Sequence, residues 1–164
     1  AGAWPGVAKA ERPAPLDAVA AVTQHGGWLN TSRELEARDL RGRVILLDFW
    51  TYCCVNCMQV LPEIARLEAQ YGDKLTVLGV HSAKFKNEAD SDNIRRAMIR
   101  NGIGHAVVND FDFSIWNSFN VSAWPTLVLI NQRGQVESVY RGENHESELE
   151  SDIDRLLALP GRVR

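Results

Sequence analysis

Cysteine is scarce in this chain of 164 residues, and its three copies, Cys53, Cys54 and Cys57, stand within one short stretch. That placement excludes the scattered, even-numbered framework of a disulfide-stapled secreted domain and points to chemistry or metal binding instead. Long apolar runs are also missing. The longest, Val44 to Leu47, is strand-sized, far short of the roughly 20 residues of a membrane-spanning helix, so no direct membrane insertion is expected. Neither sign of charge dominates: 18 basic against 21 acidic residues give −3, with no basic block to suggest a nucleic acid or an anionic membrane as partner. No internal repeat is present. The first residue is Ala1 rather than Met, from which we expect a processed or excised piece whose signal peptide or anchor would already be gone.

What is there is enough for one soluble α/β domain. A chain of this length can bury roughly 70% of its unfolded surface without staples. Residues 1–27, rich in Ala and Pro, are expected to be a leader or tether with one short helix from Leu16 to Val22, and residues 28–160 the folded domain. Arg43 to Trp50 is a continuous apolar strand of the doubly buried kind. Helical spacing follows over 55–71, with Val60, Leu61, Ile64 and Leu67 on one face and a kink expected at Pro62. Further strands are expected at 75–80, 105–108, 126–130 and 136–140. Helices are expected at 90–101, with Ile94, Met98 and Ile99 inward, and at 113–119. A last helix carries Leu149, Ile153, Leu156 and Leu157 on one face, with Ser147 and Glu150 spaced as a capping box. The alternation implies an α/β sandwich with a mixed central sheet flanked by helices.

The chemistry concentrates in Asp48-Phe-Trp-Thr-Tyr-Cys-Cys-Val-Asn-Cys57, where a buried strand gives way to a helix. A helix N-terminus offers unpaired amide N–H groups and the positive end of the dipole, and both favour thiolate over thiol at Cys54. Cys57, one turn on, is close enough to form a disulfide with it. Disulfide exchange needs such a pair, an exposed thiolate to attack and a shielded neighbour to resolve the mixed disulfide.

These residues resemble the thioredoxins. Asp48-Phe49-Trp50, the C-x-x-C, Pro62, Tyr71-Gly-Asp-Lys-Leu-Thr-Val77 and Trp124-Pro125-Thr126 all match that pattern over about residues 28–158. The surplus at about 81–111 resembles the insertion of TlpA-like disulfide reductases. Closer still is the thioredoxin-like domain of NHL-repeat proteins, through Trp28-Leu-Asn-Thr31, Thr51-Tyr-Cys-Cys-Val-Asn-Cys57, Gly79-Val-His-Ser-Ala-Lys-Phe85 and Val108-Asn-Asp110. The C-terminal domain of DipZ proteins shares Thr51-Tyr52 and Gly79-Val-His81.

The resemblance implies a thioredoxin fold with an extra strand–helix insertion, and a protein thiol–disulfide oxidoreductase needing no cofactor or metal. Cys54 is then the nucleophile, Cys57 the resolving thiol, and Asp48 a buried acid that relays a proton to or from it. Pro125 is expected in a cis peptide, so that it, Trp124 and Tyr52 form the substrate-binding side. Cys53, standing where thioredoxins carry Trp, would tune the pair, and Gly79 replaces the lysine that often neighbours the acid. Partners would be protein disulfides or dithiols and an upstream electron donor or acceptor. The Ala/Pro leader and the insertion favour a bacterial periplasm over the cytosol. Three other readings stay open. One is a Sco-like Cu(I) carrier using Cys53, Cys57 and His81. Another is a peroxiredoxin, for which Thr51 fits but Leu47 stands where Pro is needed. The third is a redox-inactive interaction module.

Overall fold

A computed structural model describes residues 14–160. The elements in order are α1 (Ala18–Val22), β1 (Trp28–Leu29), α2 (Ala37–Leu40), β2 (Val44–Trp50), α3 (Val55–Tyr71), β3 (Leu75–His81), α4 (Ser91–Arg100), β4 (Ala106–Asn109), α5 (Ser114–Ser118), β5 (Thr126–Ile130), β6 (Val136–Arg141) and α6 (Glu146–Leu157). The strands form one mixed sheet in the order β1-β4-β3-β2-β5-β6. β2, β3 and β4 run parallel, whereas β1, β5 and β6 pair antiparallel to their neighbours.

All seven residues of β2 are buried, because helices cover both faces of the sheet's centre. Side chains alternate across a strand, so Ile45, Leu47 and Phe49 join a core with α1 and α5, including Val19, Ile115 and Phe119. Val44 and Leu46 pack on the other face against Val60, Ile64 and Leu67 of α3 and Leu149, Ile153 and Leu156 of α6. Trp50 continues that face beside Cys57, Ile94 and Met98. Asp48 falls between Leu46 and Trp50 and so occupies a core position under α3.

Several expectations change. The helix at the end of the supposed tether is packed into the core: Ala18, Val19 and Val22 are at most 1% exposed, and the Ala18 N–H donates to the Gly134 carbonyl at 2.8 Å. The packed unit therefore begins before residue 27, while residues 1–13 of that stretch lie outside the described residues. Pro62 sits inside α3 without ending it. Ile99 is 81% exposed, since the buried stripe of α4 runs through Ile94, Ala97 and Met98. The Ser147–Glu150 capping box does not form. α6 begins at Glu146, behind His145, because Glu146 is held by both ends of the Arg66 guanidinium at 2.8 and 2.7 Å.

Candidate active site

The three cysteines lie in the turn from β2 into α3, and all are free thiols. Cys54 is the N-cap of α3, with extended backbone angles, and its Sγ accepts the Cys57 N–H at 3.2 Å. A cap position gives a sulfur the same electrostatic welcome that it gives a Ser or Asp oxygen. Cys57 is 1% exposed, and burial, then the neighbouring Cys54 and Asp48, push its thiol well above the usual range. One sulfur is thus reachable and the other shielded beneath it.

Asp48 is 1% exposed and neither of its carboxylate oxygens has a hydrogen-bond partner. Burial raises its pKa from 3.8 to about 7, with His105 acting in the opposite direction. A carboxyl poised there can take or give a proton at neutral pH. Directly across the sheet from it lies Gly79 of β3. A Cβ at Gly79 would stand 2.8 Å from Cγ2 of Val107 and 3.0 Å from the Trp50 indole nitrogen, so no lysine fits.

The surrounding residues hold the turn. The Tyr52 ring stacks on His81 with centroids 5.5 Å apart, and the Tyr52 N–H donates to His81 Nε2 at 3.3 Å. His81 is fully buried, edge-on to Trp50 at 4.8 Å, and burial lowers its pKa to about 4. It is therefore a neutral acceptor at neutral pH. Cys53 is exposed, and its pKa is raised by desolvation and by the adjacent Glu88 carboxylate. Glu88 is itself 1% exposed and accepts a short hydrogen bond from the Thr51 hydroxyl. The Trp124–Pro125 peptide is cis. Trp124 turns its indole inward, donating Nε1–H to the Ser82 carbonyl at 2.9 Å and packing on Trp116 at 4.4 Å.

Cys54, Cys57 and Asp48 thus come together, with Tyr52 and Cys53 on the same turn. Among the described residues, the His/Cys/Asp/Glu group whose ligand atoms lie within 4.8 Å of one another is His25, Asp110 and Asp112. The set Cys53, Cys57 and His81 is not assembled as metal ligands, and His81 Nε2 already serves the Tyr52 amide. Sequence reasoning missed Glu88 and His105. Both come from the stretch between β3 and β4, where an isolated Glu among Lys and Asn, or one more His, carries no local signal.

A family model described as thioredoxin-like matches residues 42–136. The chain is 47% identical over 135 residues to Protein SUPPRESSOR OF QUENCHING 1, chloroplastic, of Arabidopsis thaliana, covering 82% of this chain and 13% of that protein. It is 49% identical over 125 residues to NHL repeat-containing protein 2 of Bos taurus, covering 74% and 17%. With Protein DipZ of Mycobacterium tuberculosis it shares 32% over 140 residues, covering 82% and 20%. The chain spans a fifth or less of the length of each of these relatives. Among solved structures, a thioredoxin-like superfamily protein superposes with TM-score 0.74 at 25% identity, covering 82% of this chain and 92% of that one. Because the family match takes in β2, the cysteine turn, β3, β4 and β5 together rather than the cysteine motif alone, the chain belongs to the thioredoxin-like family.

Proposed function

We propose that this domain exchanges disulfides with protein substrates through Cys54 and Cys57. The observation that carries this reading is the pairing of a helix-capping, half-buried Cys54 with a buried Cys57 that donates its backbone N–H to it. In the reducing direction the Cys54 thiolate attacks a substrate disulfide, forming a mixed disulfide and releasing one substrate thiolate. Cys57 then gives its proton to Asp48 and attacks Cys54 Sγ, which expels the second substrate thiolate and leaves Cys54–Cys57 oxidised. Two electrons pass to the substrate, and an upstream dithiol restores the pair. The oxidising direction runs the same steps backwards. Tyr52 and Trp124, which pack with Cys54 against the same core cluster, would receive the substrate beside the cis Trp124–Pro125 step, and desolvation together with Glu88 keeps Cys53 protonated so that the neighbouring thiol does not compete. Thiol-disulfide oxidoreductase YkuV of Bacillus subtilis, 25% identical over 92% of its length, supports the reaction class by its name.

The test is a redox equilibrium titration in thiol/disulfide buffers, with alkylated cysteines counted by mass. A reversible two-electron couple assigned to Cys54 and Cys57 supports the reading. A pair that never closes, or a disulfide that joins only Cys53 to Cys54, overturns it.

A further inference from the structure

Glu88 is a buried acid with no step of its own in the exchange. It is 1% exposed and stands in a short 3-10 turn, Lys86–Ala89, between β3 and α4. Taking a carboxylate out of water is costly unless the fold gains from its bonds. Its Oε1 has no hydrogen-bond partner among the described residues, so the gain comes through the other oxygen. That oxygen, Oε2, accepts the hydroxyl of Thr51, which is itself fully buried.

Thr51 is the pivot between β2 and α3. Its carbonyl accepts the Cys54 N–H at 3.2 Å, closing the four-residue turn from Thr51 to Cys54. Its hydroxyl donates to Glu88 while accepting the Lys84 N–H at 3.4 Å. A hydroxyl has one proton to give, and committing it to a carboxylate fixes the side chain. The same turn decides where Cys54 stands. As N-cap of α3, with φ −106° and ψ 110°, it brings its Sγ to the Cys57 N–H. A rotation at Thr51 would swing that sulfur away from the helix end, whose dipole acts only over the first turn. Glu88 can resist the rotation because it is anchored elsewhere. Its own N–H donates to the Phe85 carbonyl at 2.9 Å. Asn109 of β4 donates Nδ2–H to the next carbonyl, that of Ala89, at 2.8 Å and to Ser91 Oγ at 3.0 Å. The segment between β3 and β4 is thus tied to the sheet on one side and to the cysteine turn on the other.

We propose that Glu88 is the positioning residue of Cys54: through the Thr51 hydroxyl it locks the turn that holds the nucleophile on the helix cap. This rests on the Cys54–Cys57 reading and gives the β3–β4 segment a part in it. In this role Glu88 moves no proton and meets no substrate; it acts through Thr51. The role needs an acceptor at position 88 rather than a charge, which separates it from any electrostatic effect of the carboxylate on the thiols.

The experiment compares the wild type with Glu88→Ala, Glu88→Gln and the double variant Thr51→Val/Glu88→Met. Alkylation of Cys54 at pH 7 is followed by mass, so that the exposed Cys53 is counted apart, and the thiol–disulfide equilibrium is measured against glutathione. Glu88→Gln keeps an acceptor for the Thr51 hydroxyl and Glu88→Ala does not, while both lack the charge. We expect Glu88→Ala to alkylate about fivefold more slowly than Glu88→Gln, the order of a helix-cap contribution. Its equilibrium should move by a similar factor towards the disulfide, because the thiolate is less stabilised. The double variant removes both polar partners at similar volume, a nearly neutral change for folding, and stands as the test if Glu88→Ala fails to fold. It should be as slow as Glu88→Ala. A brace that served stability alone would leave rate and equilibrium at the Glu88→Gln values. Such equality in the folded variants overturns the positioning role, while a normal wild-type Cys54–Cys57 couple leaves the oxidoreductase standing. A wild type with no such couple overturns both.

Discussion

Asp48 and Asp110 are both buried carboxylates at the same sheet, 1% and 0% exposed, and they are treated in opposite ways. Asp110 is surrounded by donors. Its oxygens accept the Ser82 hydroxyl at 2.8 Å and the Ile115 and Trp116 N–H groups at 3.0 Å each, with His25 at 3.4 Å. It fixes the start of α5 to the end of β3, both of its oxygens held by donors of the fold. Asp48 has no donor at all. A buried acid with filled lone pairs builds structure, and one left bare is available for proton transfer, because desolvation has brought its two protonation states close in energy at neutral pH.

That contrast can be broken in four ways. The largest effect should come from Cys57→Ser, which removes the proton donor that the bare acid serves. Turnover should vanish while Cys54 accumulates as a mixed disulfide with substrate, visible by mass; continued turnover would mean that Asp48 serves no resolving thiol. Next, Asp110→Ala should cost about 3 kcal/mol, since it strands several buried donors, and the loss should show in denaturant melts with little change in thiol potential. An equal fall in redox activity would erase the distinction between the two acids.

Third, Asp48→Asn should raise stability at pH 8 by about 2 kcal/mol, less than the roughly 4 kcal/mol implied by moving a carboxyl from 3.8 to about 7, because the amide also lacks partners. The sign follows from proton counting. The folded state holds the Asp48 proton more tightly than the unfolded chain does, so this group's contribution is full below pH 4 and falls as pH rises towards 7. His81 runs the other way. Its folded pKa of about 4 lies below 6.5, so its contribution is full above pH 6.5 and is lost on acidification towards 4. With Asp48 replaced, the acid loss due to His81 should dominate the stability–pH curve above pH 4.5, below which carboxylates such as Glu137 and Glu146 add their own; a curve still falling from pH 4 to 7 would refute the Asp48 assignment. The smallest effect belongs to Asp112→Asn. Asp112 is a 48% exposed companion of Asp110, and its side-chain oxygen accepts the Ser114 N–H, a bond that Asn can keep. The melt should move by less than about 0.5 kcal/mol.

Legibility in the sequence followed the range of the interactions. β2, β5 and the cysteine turn were readable because their signals are local: a strand-length apolar run, a helix start, a Trp-Pro step. Asp48 stood out because an acid in such a run needs a reason to be there. Glu88 and His105 were not readable, since what marks them is a fold-back of the segment between β3 and β4 onto the turn and onto Glu68. On α4 the buried place expected for Ile99 falls to Ala97, two positions earlier and a weak hydrophobic signal. The α6 cap went astray because an ion pair from α3, absent from any local pattern, sets where that helix begins. The end of the tether was misjudged for the same reason. Alanine and valine in a Pro-rich context read as a loose leader, and only the opposite hairpin shows what they cover.

That hairpin contact has a practical side. α1 lies against the β5–β6 turn, with Ala18 bonded to Gly134 and Val19 Cγ2 3.5 Å from where a Gly134 Cβ would stand. Arg41 spans back to Asp17 at 2.9 Å. The N-terminal segment thus works as a clasp over the side of the sheet remote from the cysteines. Anyone grafting this domain onto another protein, or excising it from a longer one, should cut upstream of Asp17. A cut at the Gly26-Gly27 pair, which looks like the natural hinge, would leave the hairpin unclasped and the sheet's rear face wet.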